Sequence, residues 1–233
     1  MKRVLLKLSG EALGERETKR GFDEQTVIKV AEQIKTVAEE GLEIGIVIGG
    51  GNFWRGRESS KVIERTKSDQ IGMLATVMNC LFVSNICRYL GMKTEVFTPF
   101  AVEGMTTRYS KDLVEASFAE GKIVFFAGGT GHPFFSTDTA TTLRALEIGA
   151  DVILLAKAID GIYDSDPKKN PDAVRYDEIS IEEVVEKELQ AMDLTASIMC
   201  KDYRMPMLVF ALDEENSIVN TVHGNFHGTK VTV

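Results

Sequence analysis

Lys7 sits inside the apolar run Arg3 to Ser9 (RVLLKLS), two residues before the Ser9-Gly10 turn. A buried ammonium is costly unless an anion meets it. Strand alternation puts Lys7 on one face with Leu5 and Ser9. The pattern suits a cation aimed at a moving phosphoryl group, and it also suits a lysine snorkelling from an edge strand. Two more glycine clusters follow, Gly49-Gly50-Gly51-Asn52 and Gly128-Gly129-Thr130-Gly131. Glycine lets backbone N–H groups approach an anion, and a following helix N-terminus adds partial positive charge. One such turn is ordinary loop chemistry. Several on one sheet edge suit a polyphosphate, or two phosphorylated ligands. Arg55, just past the triple glycine, can clamp phosphate bidentately, whereas Arg57 reads rather as a solvated loop charge. GxxxxGK[ST] does not occur. GxGxxG fails twice, because Trp54 and Phe134 stand where its last glycine belongs, which disfavours a Rossmann dehydrogenase.

Three carboxylates sit near expected helix starts, where an acid favours the helix dipole. Beyond capping, Asp69 could accept ribose hydroxyls, and Asp138 could orient Lys7 or water around Mg²⁺. Asp193, in Met192-Asp193-Leu194, faces the same choice. Asp160-Gly161 is a turn pair, and Tyr163 after it could flank a base. His223 and His227 are four apart, but Gly224 and Gly228 argue against a helix presenting both to a metal. Cys80 and Cys87 read as inert core. Met73, Met78, Met192 and Met199 read as core filler.

Positioning these groups falls to alternating strands and helices. Strands are expected at 3–9, 44–48, 94–97, 123–127, 152–156 and 207–211, with a closing strand at 229–233. Helices are expected at about 23–40, 68–90, 111–120, 137–148, 181–187, 193–203 and 217–222. Short apolar strands between amphipathic helices imply a mostly parallel sheet covered on both faces. The expected fold is therefore a three-layer α/β/α sandwich. The 164–175 loop, rich in Pro, Asp and Lys, reads as a functional excursion rather than a linker, so residues 1–233 are expected to form one domain.

Composition narrows the partners. The 233 residues carry 27 Lys plus Arg against 35 Asp plus Glu, a net charge of −8. No global basic footprint for nucleic acid is present. Three cysteines without a CxxC pair fit a reducing cytosol. Lys7 interrupts the N-terminal apolar run, so no signal peptide and no membrane-spanning stretch are expected. With only three histidines, a mechanism built on imidazole is disfavoured.

Five strings share an order: KLSGEAL (7–13), IGGGNFWRG (48–56), GMLATVMN (72–79), TGHPFFSTD (130–138) and DGIYDSDP (160–167). Together they resemble the bacterial uridylate (UMP) kinase family of the amino-acid kinase superfamily. The first two strings mark the superfamily, whereas GMLATVMN, TGHPFFSTD and Met192-Asp193-Leu194 are more specific. The resemblance implies the reaction Mg·ATP + UMP → ADP + UDP. It implies ATP contacts at Lys7, Leu8, Ser9, Gly10, Gly51, Arg55, Lys157, Tyr163 and Asp166. UMP contacts are implied at Gly50, Asp69, Thr130, Gly131, His132, Pro133, Phe134, Phe135, Ser136 and Thr137. Lys7, Asp138 and Asp193 form the implied catalytic set, and Mg²⁺ arrives with ATP, without a direct protein ligand. Lys157 departs from the Thr or Asn usual in the family and reads as approaching phosphates rather than adenine. A cytoplasmic homohexamer, activated by GTP and inhibited by UTP, is also implied, with Met105 to Arg108 a candidate effector or subunit surface. Two rivals remain open: a superfamily phosphotransferase acting on a carboxylate, carbamate or isopentenyl phosphate, and a non-catalytic nucleotide-binding sensor.

Overall fold

The computed structural model describes residues 1–15, 17–55 and 62–233. Arg57 lies outside the described residues. A nine-stranded sheet forms the middle layer, in the order β4 (Thr107–Arg108), β3 (Thr94–Thr98), β5 (Ile123–Phe126), β2 (Glu43–Ile48), β1 (Arg3–Leu8), β6 (Val152–Lys157), β10 (Met207–Ala211), β11 (Gly228–Thr232) and β9 (Glu178–Ser180). Every neighbouring pair is parallel except β10 and β11. The central strands are short and almost wholly buried, as parallel strands covered on both faces must be.

Helices α1 (Glu24–Glu39), α2 (Arg65–Tyr89) and α7 (Ser217–Val222) cover one face. There Val30, Ile34, Val77 and Val83 pack against Leu6, Leu8 and Ile46. Helices α3 (Lys111–Ala119), α4 (Thr137–Ile148), α5 (Ile181–Glu186) and α6 (Leu194–Asp202) serve the other face. Val114, Ala145, Ile148, Val184 and Ala196 pack there with Leu5, Val47 and Leu155. The three-layer α/β/α sandwich is the expected fold.

Helix boundaries follow local chemistry. Asp23 caps α1 by accepting from the Thr26 amide at 3.2 Å. Ser136 caps α4 by accepting from the amides of Asp138 and Thr139. Gly149 ends α4 at φ 63°, a left-handed conformation that costs glycine nothing.

Several expectations need correction. Helix α2 begins at Arg65, not Ser68, so Asp69 lies a full turn inside it and does not cap it. Met78 is not core filler: with Ile71 and Leu74 it forms an exposed stripe along α2. These positions keep helical spacing but face away from the sheet. Helix α2 is also long and apolar enough to cross a membrane by length and composition, a test that a buried core helix passes equally. Its buried polar groups, Ser68, Thr76, Asn79 and Ser84, bond within the protein, as in the core helix of a sandwich. The 164–175 excursion is framed by a two-stranded antiparallel ribbon, β7 (Ile162–Tyr163) with β8 (Arg175–Tyr176).

Candidate active site

Because β1, β2 and β5 are adjacent and parallel, their carboxyl ends bring the three glycine turns to one edge. Gly10 packs tightly there: a Cβ would meet the Gly49 carbonyl and lie 2.5 Å from Asn52 Oδ1. Only glycine allows the first two turns to approach so closely. Helix α2 fastens them. Asn79 Nδ2 donates to the Gly49 carbonyl at 2.6 Å, and the Asn79 and Asn52 amides exchange hydrogen bonds at 2.8 and 2.9 Å. The third turn is held by the Gly128 amide, which donates to Thr76 Oγ1 at 2.8 Å.

A cavity of about 330 Å³ opens on this edge. Lys7 and Asp138 line it with the glycines at 49–51, and Asp69 and the 129–137 loop line it too. Lys7 Nζ lies 2.8 Å from Asp138 Oδ1, both side chains being largely shielded from solvent. Lys7 thus points inward and does not snorkel. Burial alone would raise the Asp138 pKa, but the Lys7 charge and hydrogen bond outweigh it and hold the carboxyl below its ordinary value. Asp138 is ionised at neutral pH and aims the ammonium at the cavity.

Asp193 joins this centre from α6. It caps the helix through the Ala196 amide at 3.1 Å, and its own amide donates to Asp138 Oδ2 at 3.3 Å. Its carboxylate accepts from Ser136 Oγ and, at 3.3 Å, from Thr139 Oγ1. Capping and a place in the site are therefore compatible.

Lys157, at the end of β6, donates to the carbonyls of Gln190 and Ala191 at 3.1 and 2.6 Å. Burial, and then the nearby Lys7 charge, lower its pKa to about 8 against partial opposition from Asp138. It faces a second cavity of about 880 Å³, which Ala12 and Gly14 share with Lys19, Lys29 and the 212–216 loop. The two lysines therefore serve adjoining spaces.

Other expected residues fall around these spaces. Gly50, Gly51, Thr130, His132, Phe134, Phe135, Ser136 and Thr137 line the first cavity. Gly131 and Pro133 belong to the same loop, with Gly131 at φ 83°. Leu8 is core, and Ser9 precedes the short 3-10 turn at Gly10–Leu13. Arg55 pairs with Glu11. Asp69 lines the cavity and accepts from the Phe134 amide at 2.8 Å and from Arg65.

Tyr163 and Asp166 line neither cavity. Tyr163 donates to Asp160 at 2.7 Å, and the exposed Asp166 accepts from the Lys168 amide. His227 joins a network with Arg175 and Glu214, while His223 meets Glu40, so the pair shares no ligand. All three cysteines are free and buried, with Cys80 and Cys87 pushed up to about 12. Among the described residues no cluster of three or more His, Cys, Asp or Glu could hold a metal. Sequence reasoning passed over Arg65 and Ser68, and it noted Thr76 and Asn79 only as members of the GMLATVMN string, without a role. All lie on α2, and the four-residue spacing of Arg65 to Asp69 was available in the sequence, but the partners of these residues were not visible there.

A Lys–Asp pair beneath three glycine turns at the carboxyl edge of a parallel sheet is a phosphate-handling site. The amino acid kinase family profile matches residues 2–211, and the chain belongs to that family. Within it, the chain is similar to UMP kinase from Ureaplasma parvum, at 32% identity and a TM-score of 0.94, covering 100% of this chain and 99% of that one. It is equally close in shape to UMP kinase from Bacillus anthracis, at 34% identity and TM-score 0.94, covering 99% and 96%. Uridylate kinase from Archaeoglobus fulgidus is more distant, at 25% identity and TM-score 0.75 over 100% of both chains.

Proposed function

We propose that this chain is a uridylate kinase that moves the γ-phosphoryl group of ATP to UMP, giving ADP and UDP. The observation that carries the reading is one cavity joining Lys7 and the glycines at 49–51 to the Asp69 carboxylate. It offers a phosphate floor and a hydroxyl acceptor on its wall, as a nucleoside monophosphate requires. The full-length likeness to bacterial UMP kinases agrees with this.

In the proposed reaction an oxygen of the UMP phosphate forms the new bond to the γ-phosphorus. The bond from that phosphorus to the bridging oxygen breaks, and its electron pair leaves with ADP. The acceptor is already largely ionised at neutral pH, since its second pKa is about 6. No general base is needed, and catalysis rests on in-line positioning and charge neutralisation. Lys7, aimed by Asp138, supplies positive charge where negative charge builds up in the transition state. Ser9, Gly10, Gly51 and Arg55 attend the ATP phosphates, with Leu8 in the strand behind them. Lys157 and the second cavity receive the rest of the donor; Tyr163 and Asp166, which lie outside the cavity lining, would approach its base and ribose. Gly50, Asp69 and the residues from Thr130 to Thr137 hold UMP. Mg²⁺ supplies charge neutralisation on the ATP phosphates. Asp138 and Asp193 would hold it through its water shell.

We further propose one domain over residues 1–233 and a cytoplasmic homohexamer, with GTP activating and UTP inhibiting. The exposed stripe of Ile71, Leu74 and Met78 supports association, and three free thiols suit a reducing compartment. An ADP-release assay across UMP, CMP, acetylglutamate and carbamate tests the reaction. Turnover with UMP alone is expected. Turnover with a carboxylate or carbamate instead, or with none of the four, refutes it.

A further inference from the structure

Arg65 has no part in the reaction described above, yet its side chain faces the acceptor cavity. Its Nε donates to both oxygens of Asp69, at 2.8 and 2.9 Å, from one helical turn away. Its guanidinium carbon lies 5.6 Å from the centre of the Phe134 ring. Phe134 has φ 71°, an uncommon conformation for a bulky side chain, and its ring is largely exposed. Its amide donates to Asp69 Oδ2 at 2.8 Å. One arginine therefore fixes the carboxylate and supports the loop residue bonded to that same carboxylate.

We infer that Arg65 is a positioning residue that sets the ribose specificity of the acceptor site through Asp69. The inference rests on the uridylate kinase reading. An ionised carboxylate has about four acceptor positions; Arg65 occupies one on each oxygen and Phe134 a second on Oδ2. About one position is left, on a residue that lines the cavity, where a ribose hydroxyl can take it. Such a site rejects an analogue lacking one hydroxyl only if the acceptor stays in place unpaired. Without Arg65, Asp69 is free to rotate into water, and the missing hydroxyl costs little. Lysine is a poor substitute, because an ammonium lacks the planar guanidinium that donates through Nε and also lies near the Phe134 ring.

The test compares kcat and KM for UMP and dUMP in the wild type, Arg65→Ala, Arg65→Lys, Asp69→Asn and the Arg65→Ala/Asp69→Asn double variant. Arg65→Ala is expected to raise the KM for UMP about tenfold and to cut the UMP/dUMP ratio of kcat/KM by a similar factor. KM for ATP and the thermal midpoint should change little. Arg65→Lys should recover part of the KM but not the ratio. On the Asp69→Asn background, removing Arg65 should change the ratio no further. An unchanged ratio in Arg65→Ala overturns the inference while leaving the kinase reading intact, as does an additive effect in the double variant. A wild type inactive on UMP overturns both.

Discussion

Two lysines share one site and differ in their partners. Lys7 has a carboxylate at 2.8 Å, so its charge is secured while its position remains directed at the cavity. Replacing it should leave binding of the acceptor nearly intact and remove charge stabilisation from the transition state. Lys7→Ala is expected to lower kcat by a factor of 10² or more with a modest change in the KM for UMP, read by steady-state kinetics. Near-normal kcat would remove Lys7 from the catalytic set. Among the described residues, Lys157 donates to the backbone carbonyls of Gln190 and Ala191. Its pKa falls to about 8 from 10.5, first through burial and then through Lys7. Below about pH 8 it is protonated in both folded and unfolded chains. Between pH 8 and about 10.5 the unfolded chain holds the extra proton, so folding gains stability as pH rises. Measured against Lys157→Met, the wild-type thermal midpoint should therefore climb across that window. Parallel midpoints from pH 7 to pH 10 would contradict the assignment.

At the scale of elements, α2 organises the site. Its first two turns carry Arg65, Ser68 and Asp69; Ser68 accepts from Trp54 Nε1 at 2.9 Å. The next turns carry Thr76 and Asn79, which hold the Gly128 and Gly49 turns. One rigid helix thus sets the spacing of three loops, which loops alone could not maintain. The 3-10 turn after β1 closes against this frame through Gly10. Gly10→Ala is expected to cost about 1–3 kcal/mol, because its new methyl group meets the Gly49 carbonyl and the mutually hydrogen-bonded amides of Asn52 and Asn79. Denaturant unfolding would reveal the loss, and kcat should fall with it as the turns separate. A variant as stable as the wild type would show that the close approach is not required.

Over the whole molecule, a net charge of −8 coexists with a site that seeks phosphate. The two agree because local geometry, rather than total charge, sets the potential inside a cleft. Lys7, Lys157 and the glycine amides converge on one edge of the sheet, while acidic residues spread over the surface. The same scale governs assembly. Leu74 is 52% exposed and Met78 46%, next to Ile71 on a helix whose opposite side is core. Leu74→Arg would place a charge in the middle of this stripe. Native mass spectrometry should show a hexamer for the wild type and smaller species for the variant; unchanged mass would exclude the stripe as an interface.

Much of this protein is determined by local rules. Apolar runs of four to six residues, separated by capped amphipathic helices, specify a parallel sandwich because no other packing covers both strand faces. Lys7 in a buried strand requires an anion, and glycine at three strand ends requires close backbone approach. Both were legible before any partner was known. Asp138 was one candidate for that anion, but its alternative roles stayed open, since Lys7 and Asp138 are far apart in sequence and meet only through strand order. Asp69 illustrates the same divide. Its spacing suggested a cap, whereas its partners, the Phe134 amide and Arg65, emerged only once α2 and the 130–137 loop faced one cavity. Helical periodicity likewise cannot tell which apolar stripe meets the sheet, so Met78 read as core until packing turned it outward. Local sequence chooses elements and their conformational freedom; tertiary structure chooses partners, because contacts between distant segments depend on topology.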